Sequence, residues 1–278
     1  MLHLQAGGWQ ASLLPAQGAA FATLEHDGRA ILQPLAGRDP NTTPAGAFWM
    51  LPWTNRLDGG LFPWAGERYM FPITHPSEGN ALHGLARAMP WTVRDAGPAH
   101  AVLRQSLRQP PFDYVAQLDV SLAAGGLTMA LHLEHVGEAP CPMGFGWHPW
   151  FARPPGTAVR FSASHILLRD ARKLPVAERP SLGIDGPDTE WLGIDDHFPG
   201  WNGIAVLRRP DLTLTLEAIG DWSHNIQFFA PEANPVLCLE PVSHVPDAIN
   251  RPALAAFGPM RVLAPGESLE GRIVLRVG

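Results

Sequence analysis

The chain has 278 residues, 46% hydrophobic and 17% charged, with a net charge of −6 at pH 7; this supplies a substantial core and too few charges for a disordered or polyelectrolyte protein. Its arginines stand singly or in pairs, never in a run that would track a phosphate backbone, which argues against a nucleic-acid partner. The opening "MLHLQAGGWQASLLPAQG" lacks a basic n-region and an apolar h-region, and no later stretch approaches the roughly 20 apolar residues of a membrane span, so a soluble cytoplasmic protein without a membrane partner is expected.

In chain order, the 29 prolines and 28 glycines interrupt any long helix and favour short strands joined by turns. "FATLEHDGRAIL" (21–32) reads as a hairpin, with Asp27-Gly28 as its tight turn. From Tyr114, the alternation Tyr114, Ala116, Leu118, Val120, Leu122 is followed by an Ala-Ala-Gly-Gly turn. Leu127, Met129, Leu131 and Leu133 then alternate again, which makes a hairpin with one buried face. "DLTLTLEAI" (211–219), "NIQFFAPEANPVLCLEPV" (225–242) and "SLEGRIVLRVG" (268–278) repeat the pattern. The Pro-rich stretch near Gly97 and the segment Arg172 to Trp191 read as long surface connections. Only "PDAINRPALAAF" (246–257) has room for a helical turn or two, with Pro252 tolerated at its start. No period of 20 to 50 residues and no compositional break is present. The expectation is an all-β protein, a large β-sandwich in a single domain, 1–278.

Cys141 and Cys238 are the only cysteines and form no C-x-x-C pair, so both read as core thiols. Ten tryptophans against two tyrosines is a surplus that must line either the core or a binding face.

Four segments concentrate polar side chains among Gly, Pro and Trp: "WTNRLDGG" around Arg56, "NALHGLAR" around His83, "GFGWHPWF" around His148 and "VLCLEPVSHVPDAIN" around Glu240. Taken alone, His148 and His83 are as well explained as satisfied core histidines. Glu240 ends a buried strand before Pro241, where a carboxylate needs either a partner or a raised pKa. The pair His132/His135 falls on alternate faces of a strand and no other histidine spacing suits a ligand set, so no metal is expected. There is no G-x-S-x-G elbow, P-loop or dinucleotide fingerprint. What remains is acid–base chemistry between a carboxylate and an imidazole in a pocket edged with tryptophan, which is equipment suited to a sugar; the alternative is that the tryptophans are core.

These segments resemble the aldose 1-epimerase (galactose mutarotase) family, and more closely its shorter branch with the hexose-6-phosphate epimerases. "NRLDGGLFPWAGERY", "LHGLAR", "GWHPWF", "DDHFPGWNG", "NIQFF" and "LCLEPVSHVPDAIN" follow the family's order across roughly residues 50 to 250. The resemblance implies a mutarotase-like β-sandwich acting on a small-molecule sugar without cofactor or metal. Glu240 would be the base that takes the anomeric hydroxyl proton, and His148 the acid that protonates the ring oxygen, its pKa raised by a nearby carboxylate. Asn55, Arg56 and His83 would hold the ring oxygen and hydroxyls, and Asp195 and Gln227 further hydroxyls. Trp150 stands where the family more often has tyrosine, and Asp196 competes with Asp195 by a one-residue slip. Arg68, Arg87 or Arg94 would serve a phosphorylated hexose. A non-catalytic sugar binder on the same fold is the alternative of a different class. The identity of the aldose and the choice between monomer and homodimer stay open.

Overall fold

The computed structural model describes residues 1–278. The strands form two large antiparallel sheets, of twelve and nine strands, with three two-stranded ribbons and a few helical turns. The twelve-stranded sheet runs from Leu2–Ala6 through Trp9–Leu14, Ala20–His26, Ala47–Met50, Gly146–Pro149, Val236–Val242, Asn225–Phe229, Asp195–Pro199 and His165–Arg169 to Pro175–Pro180. The nine-stranded sheet is built on Phe112–Ala123, Gly126–His135 and Ser268–Val277. The expected hairpin pairs Tyr114 with His135 and Ala123 with Gly126, and the residues that alternate in its sequence are the buried ones. Asp27 and Gly28 both take positive φ, +48° and +74°, as a type I′ turn demands.

A single apolar cluster joins the sheets. Trp49, Trp147, Phe228, Leu237 and Leu239 come to it from the twelve-stranded sheet, and Leu118, Met129, Leu131, Leu216 and Ile273 from the other. Strand period two then puts the intervening residues on the opposite face of the larger sheet. Phe48, His148, Gln227 and Glu240, all buried, are among them. Two short strands, Arg56–Asp58 and Asn80–Leu82, pair as a ribbon.

Two segments depart from expectation. Residues 172–191 are not a loop: they contain strands Pro175–Pro180 and Ile184–Pro187 and helix Asp188–Trp191. The two strands are the terminal ones of the larger and smaller sheet respectively. Proline cannot donate to a ladder, so at an edge it is tolerated, and Pro-rich sequence alone made an edge strand look like a connection. The stretch at Gly97 is a turn between strands Thr92–Ala96 and His100–Gln109. Helix Pro252–Ala255 begins at Pro252. No helix is long and apolar enough to cross a membrane.

Candidate active site

All seven residues singled out as catalytic or sugar-binding, namely Asn55, Arg56, His83, His148, Asp195, Gln227 and Glu240, border one cavity of about 260 Å³. Four neighbouring strands build its floor. Glu240 lies in Val236–Val242 and is in register with Gln227 on the adjacent strand; Gln227 is in register with His197 on the next, where Asp195 sits two residues back on the same side. On the other flank, Gly146 pairs with Val242, which carries His148 opposite Glu240. The ribbon supplies Arg56, and just beyond it come Asn55 and His83, which take the left-handed φ values +54° and +64°. The next residue, Gly84, also has positive φ, and a Cβ there would strike the Leu51 carbonyl. The tight bend that presents His83 therefore needs glycine behind it.

At the centre, His148 Nε2 and Glu240 Oε1 are 3.3 Å apart, with side chains only 5% and 2% exposed. His148 stacks on Phe48 at 4.5 Å between centroids and meets His83 edge-on at 5.0 Å. Trp150 tilts against it at 4.9 Å. Four polar atoms around the cavity are buried without a partner: His148 Nδ1, His83 Nδ1, Trp150 Nε1 and Glu240 Oε2. Such orphans cost free energy unless a ligand satisfies them.

A charged network closes one side. Arg56 donates through Nε to Glu78 Oε2 at 2.7 Å and through Nη2 to Glu78 Oε1 at 3.0 Å, while its Nη1 donates to Asn55 Oδ1 at 3.2 Å. Asp195 accepts from Gln227 Nε2 at 2.9 Å and Lys173 Nζ at 3.0 Å and pairs with Arg169 Nη1 at 2.7 Å. Asp196 points away from the cavity toward Arg169 Nε, at 2.8 Å.

Burial would raise the Asp195 carboxyl, but Arg56, Arg169 and Lys173 outweigh it and hold the group below the usual aspartate range. The same contest, with Arg56 as the main counterweight, lowers Glu78. Glu240 goes the other way: burial lifts it well above the ordinary glutamate value, Asp195 adds to this, and Arg56 opposes it. Burial also pulls His148 down to about 3, helped by Arg87, and pushes His83 well below its usual value. A carboxylate, Asp195, does act to raise the His148 pKa as expected, but desolvation of the imidazolium outweighs it and the net shift is downward. Burial thus shifts the two groups in opposite directions, each toward its neutral form.

The pocket is not edged with tryptophan as its sequence suggests. Trp49 and Trp147 are fully buried in the core, and Trp150 is the one tryptophan bordering the cavity, with Phe48 and Phe229. The surplus went mainly to the core because tryptophan has the area to fill the gap between two sheets. Sequence reasoning missed Glu78, which sits in a Pro-Ser-Gly turn with no signal beyond its charge. It also missed Lys173, whose only signal is its place in the segment 172–191, read as a surface connection.

Comparison with known proteins bears on the family and the fold. The family pattern described as aldose 1-epimerase matches residues 1–276. The uncharacterized protein YphB of Escherichia coli K12 is 28% identical over 276 residues, covering 94% of this chain and 93% of that protein. A candidate aldose 1-epimerase from Escherichia coli K12 superposes with a TM-score of 0.87 at 25% identity, over 99% of this chain and 98% of that one. The galactose 1-epimerase of Lactobacillus acidophilus NCFM superposes at 0.73 with 16% identity, over 98% and 92%, and shares the fold.

Proposed function

The chain belongs to the aldose 1-epimerase family, and we propose that it interconverts the α and β anomers of an aldohexose by acid–base opening and closing of the pyranose ring. The observation that carries this reading is the buried His148–Glu240 pair, 3.3 Å apart, at the base of a cavity with unpartnered polar atoms.

Ring opening removes the O1 proton while the ring oxygen gains one, so the site must hold an acid and a base beside the same C1–O5 unit. A carboxyl–imidazole pair that shares one proton can meet this demand. Passed from Glu240 to His148 across their contact, that proton leaves a carboxylate to take the O1 proton and an imidazolium to protonate O5. Rotation about C1–C2 then presents the other carbonyl face, and the reverse transfers close the ring. Proton count is the same before and after, so the site needs no net exchange with water.

Arg56, fixed by Glu78 and Asn55, is oriented to stabilise negative charge as it develops on the sugar oxygens. Asp195 and Gln227, tied to one another, have oxygen and amide groups for the remaining hydroxyls. Phe48, Trp150 and Phe229 suit the C–H faces of a pyranose.

The narrower placement beside the hexose-6-phosphate epimerases gains no support from the comparisons. Of the arginines considered for a phosphate, Arg68 and Arg94 are exposed on strands away from the cavity. Arg87 alone borders it, and there its Nε and Nη2 already donate to Asn41. A non-catalytic sugar binder would have no use for an acid–base pair.

The test is the rate of anomerisation of freshly dissolved α-glucose, α-galactose and glucose 6-phosphate, followed by polarimetry, for the wild type, Glu240→Gln and His148→Asn. Loss of about 10²- to 10⁴-fold in each variant is expected, with the melting temperature retained. Sugar binding without acceleration over buffer in the wild type would establish the binder instead.

A further inference from the structure

Histidine spacing along the chain offers no ligand set for a metal, but the fold assembles a different group of donors. Cys238 and Glu240 are two residues apart on the strand Val236–Val242, so their side chains leave the same face. His148 stands across from Glu240 on the neighbouring strand. One ligand atom from each of the three lies within 4.8 Å of the others, and all three residues are buried. Cys238 is a free thiol. Glu240 Oε2 and His148 Nδ1 are buried with no hydrogen-bond partner.

We propose that Cys238, His148 and Glu240 form a three-ligand site for a thiophilic divalent cation of the zinc class, whose occupancy excludes the sugar.

The donor set decides the ion. Sulfur, imidazole nitrogen and carboxylate oxygen together suit zinc and its neighbours, whereas magnesium and calcium want oxygen alone. Three protein ligands with a fourth position open to a cavity is the arrangement of zinc sites that keep an exchangeable ligand. Bond lengths of about 2.0–2.3 Å imply ligand-to-ligand edges of roughly 3.3–3.8 Å in a tetrahedron. The closest approach of His148 to Glu240 is 3.3 Å, every edge of the trio is at most 4.8 Å, and the longest must therefore close by about 1 Å. On ligation the thiol and the carboxyl each release a proton to water. A thiolate and a carboxylate then neutralise the dication, with the imidazole neutral, so no net charge is left in a desolvated place. The cavity that borders His148 and Glu240 is the entry path.

The metal site stands independently of the aldose reading; only the inhibition rests on it, because the ion would occupy the two groups assigned to O1 and O5. In untagged protein, titration with Co²⁺ should give a thiolate-to-cobalt charge-transfer band saturating at one ion per chain, displaced by Zn²⁺ and absent in Cys238→Ala. In the anomerisation assay Zn²⁺ should raise the apparent KM with kcat unchanged. Cys238→Ala should weaken that inhibition at least tenfold while turning over sugar at the wild-type rate. Cys238→Ser serves as the second variant should the alanine not fold. Absence of the cobalt band, or zinc inhibition equal in wild type and variant, overturns the proposal. If the protein turns over no aldose, the cobalt titration still decides the metal site, so the two failures are distinguishable.

Discussion

Glu78 holds Arg56 by two charge-assisted hydrogen bonds of 2.7 and 3.0 Å between side chains 13% and 8% exposed. Glu78→Gln keeps an acceptor for one guanidinium N–H and replaces the other with an amide that repels it. The buried arginine then loses half of a bidentate pair and its closest countercharge. Asp195 Oδ2, 3.7 Å from Nη2, cannot compensate fully because Arg169 and Lys173 share it. Hydrogen bonds to charged groups contribute about 1.5–3 kcal/mol, and breaking a buried pair costs about 3–5 kcal/mol. With one bond retained, destabilisation of about 1.5–3 kcal/mol is expected in urea unfolding. Because Arg56 is no longer fixed at the cavity wall, kcat/KM should fall about tenfold to a hundredfold. A double-mutant cycle with Arg56→Met isolates the pair and should show a coupling above about 1.5 kcal/mol. Since Glu78 titrates below its usual value in the folded chain, its contribution is present above pH 4.5 and lost as pH falls through the lower folded value. The variant's acid limb should therefore be flatter. Additive mutations, or destabilisation under about 0.5 kcal/mol with unchanged kcat/KM, would refute the reasoning.

Other perturbations probe the surroundings of the site. His197 and His244 are buried with pKa values pulled from 6.5 to about 4. The unfolded chain therefore binds more protons between those values, and stability should fall steadily as pH drops from 6.5 to 4. Each histidine adds a slope of up to about 1.4 kcal/mol per pH unit; a urea midpoint constant over that window would contradict it. Gly84→Ala forces a Cβ against the Leu51 carbonyl at φ +70° and should cost at least about 2 kcal/mol of stability and displace His83, which a melting curve and a sugar titration would register. Trp150→Phe removes an unpartnered donor at the cavity. At about 0.5–1.5 kcal/mol for one neutral hydrogen bond, KM should rise about 2- to 13-fold with kcat nearly unchanged. A hundredfold fall in kcat alone would instead mean that the indole positions His148.

Features that are periodic and local could be read from the chain directly. Alternation from Tyr114 to Leu133 defined a hairpin and its buried face, Asp27-Gly28 defined a turn, and the spread of proline and glycine excluded long helices, because backbone geometry answers to neighbours within a few residues. Of the residues bordering the cavity, Arg56, His83, His148 and Glu240 stood out in their own segments, Asp195 and Gln227 only through the family resemblance, and Glu78 and Lys173 not at all.

Which way those residues face, and what meets them, was settled by the packing of the sheets. Phe48 and Trp49 are adjacent in sequence, yet one lines the cavity and the other the core, since pairing with Gly146–Pro149 sets the face. The edge strand Pro175–Pro180 exists because its partner His165–Arg169 is itself tied into the larger sheet, and the Glu78–Arg56 clamp joins residues 22 positions apart. The opposed pKa shifts of Glu240 and His148 arise first from burial. Desolvation and ion pairing act through space, and the chain's local pattern carries no record of the distances on which they depend.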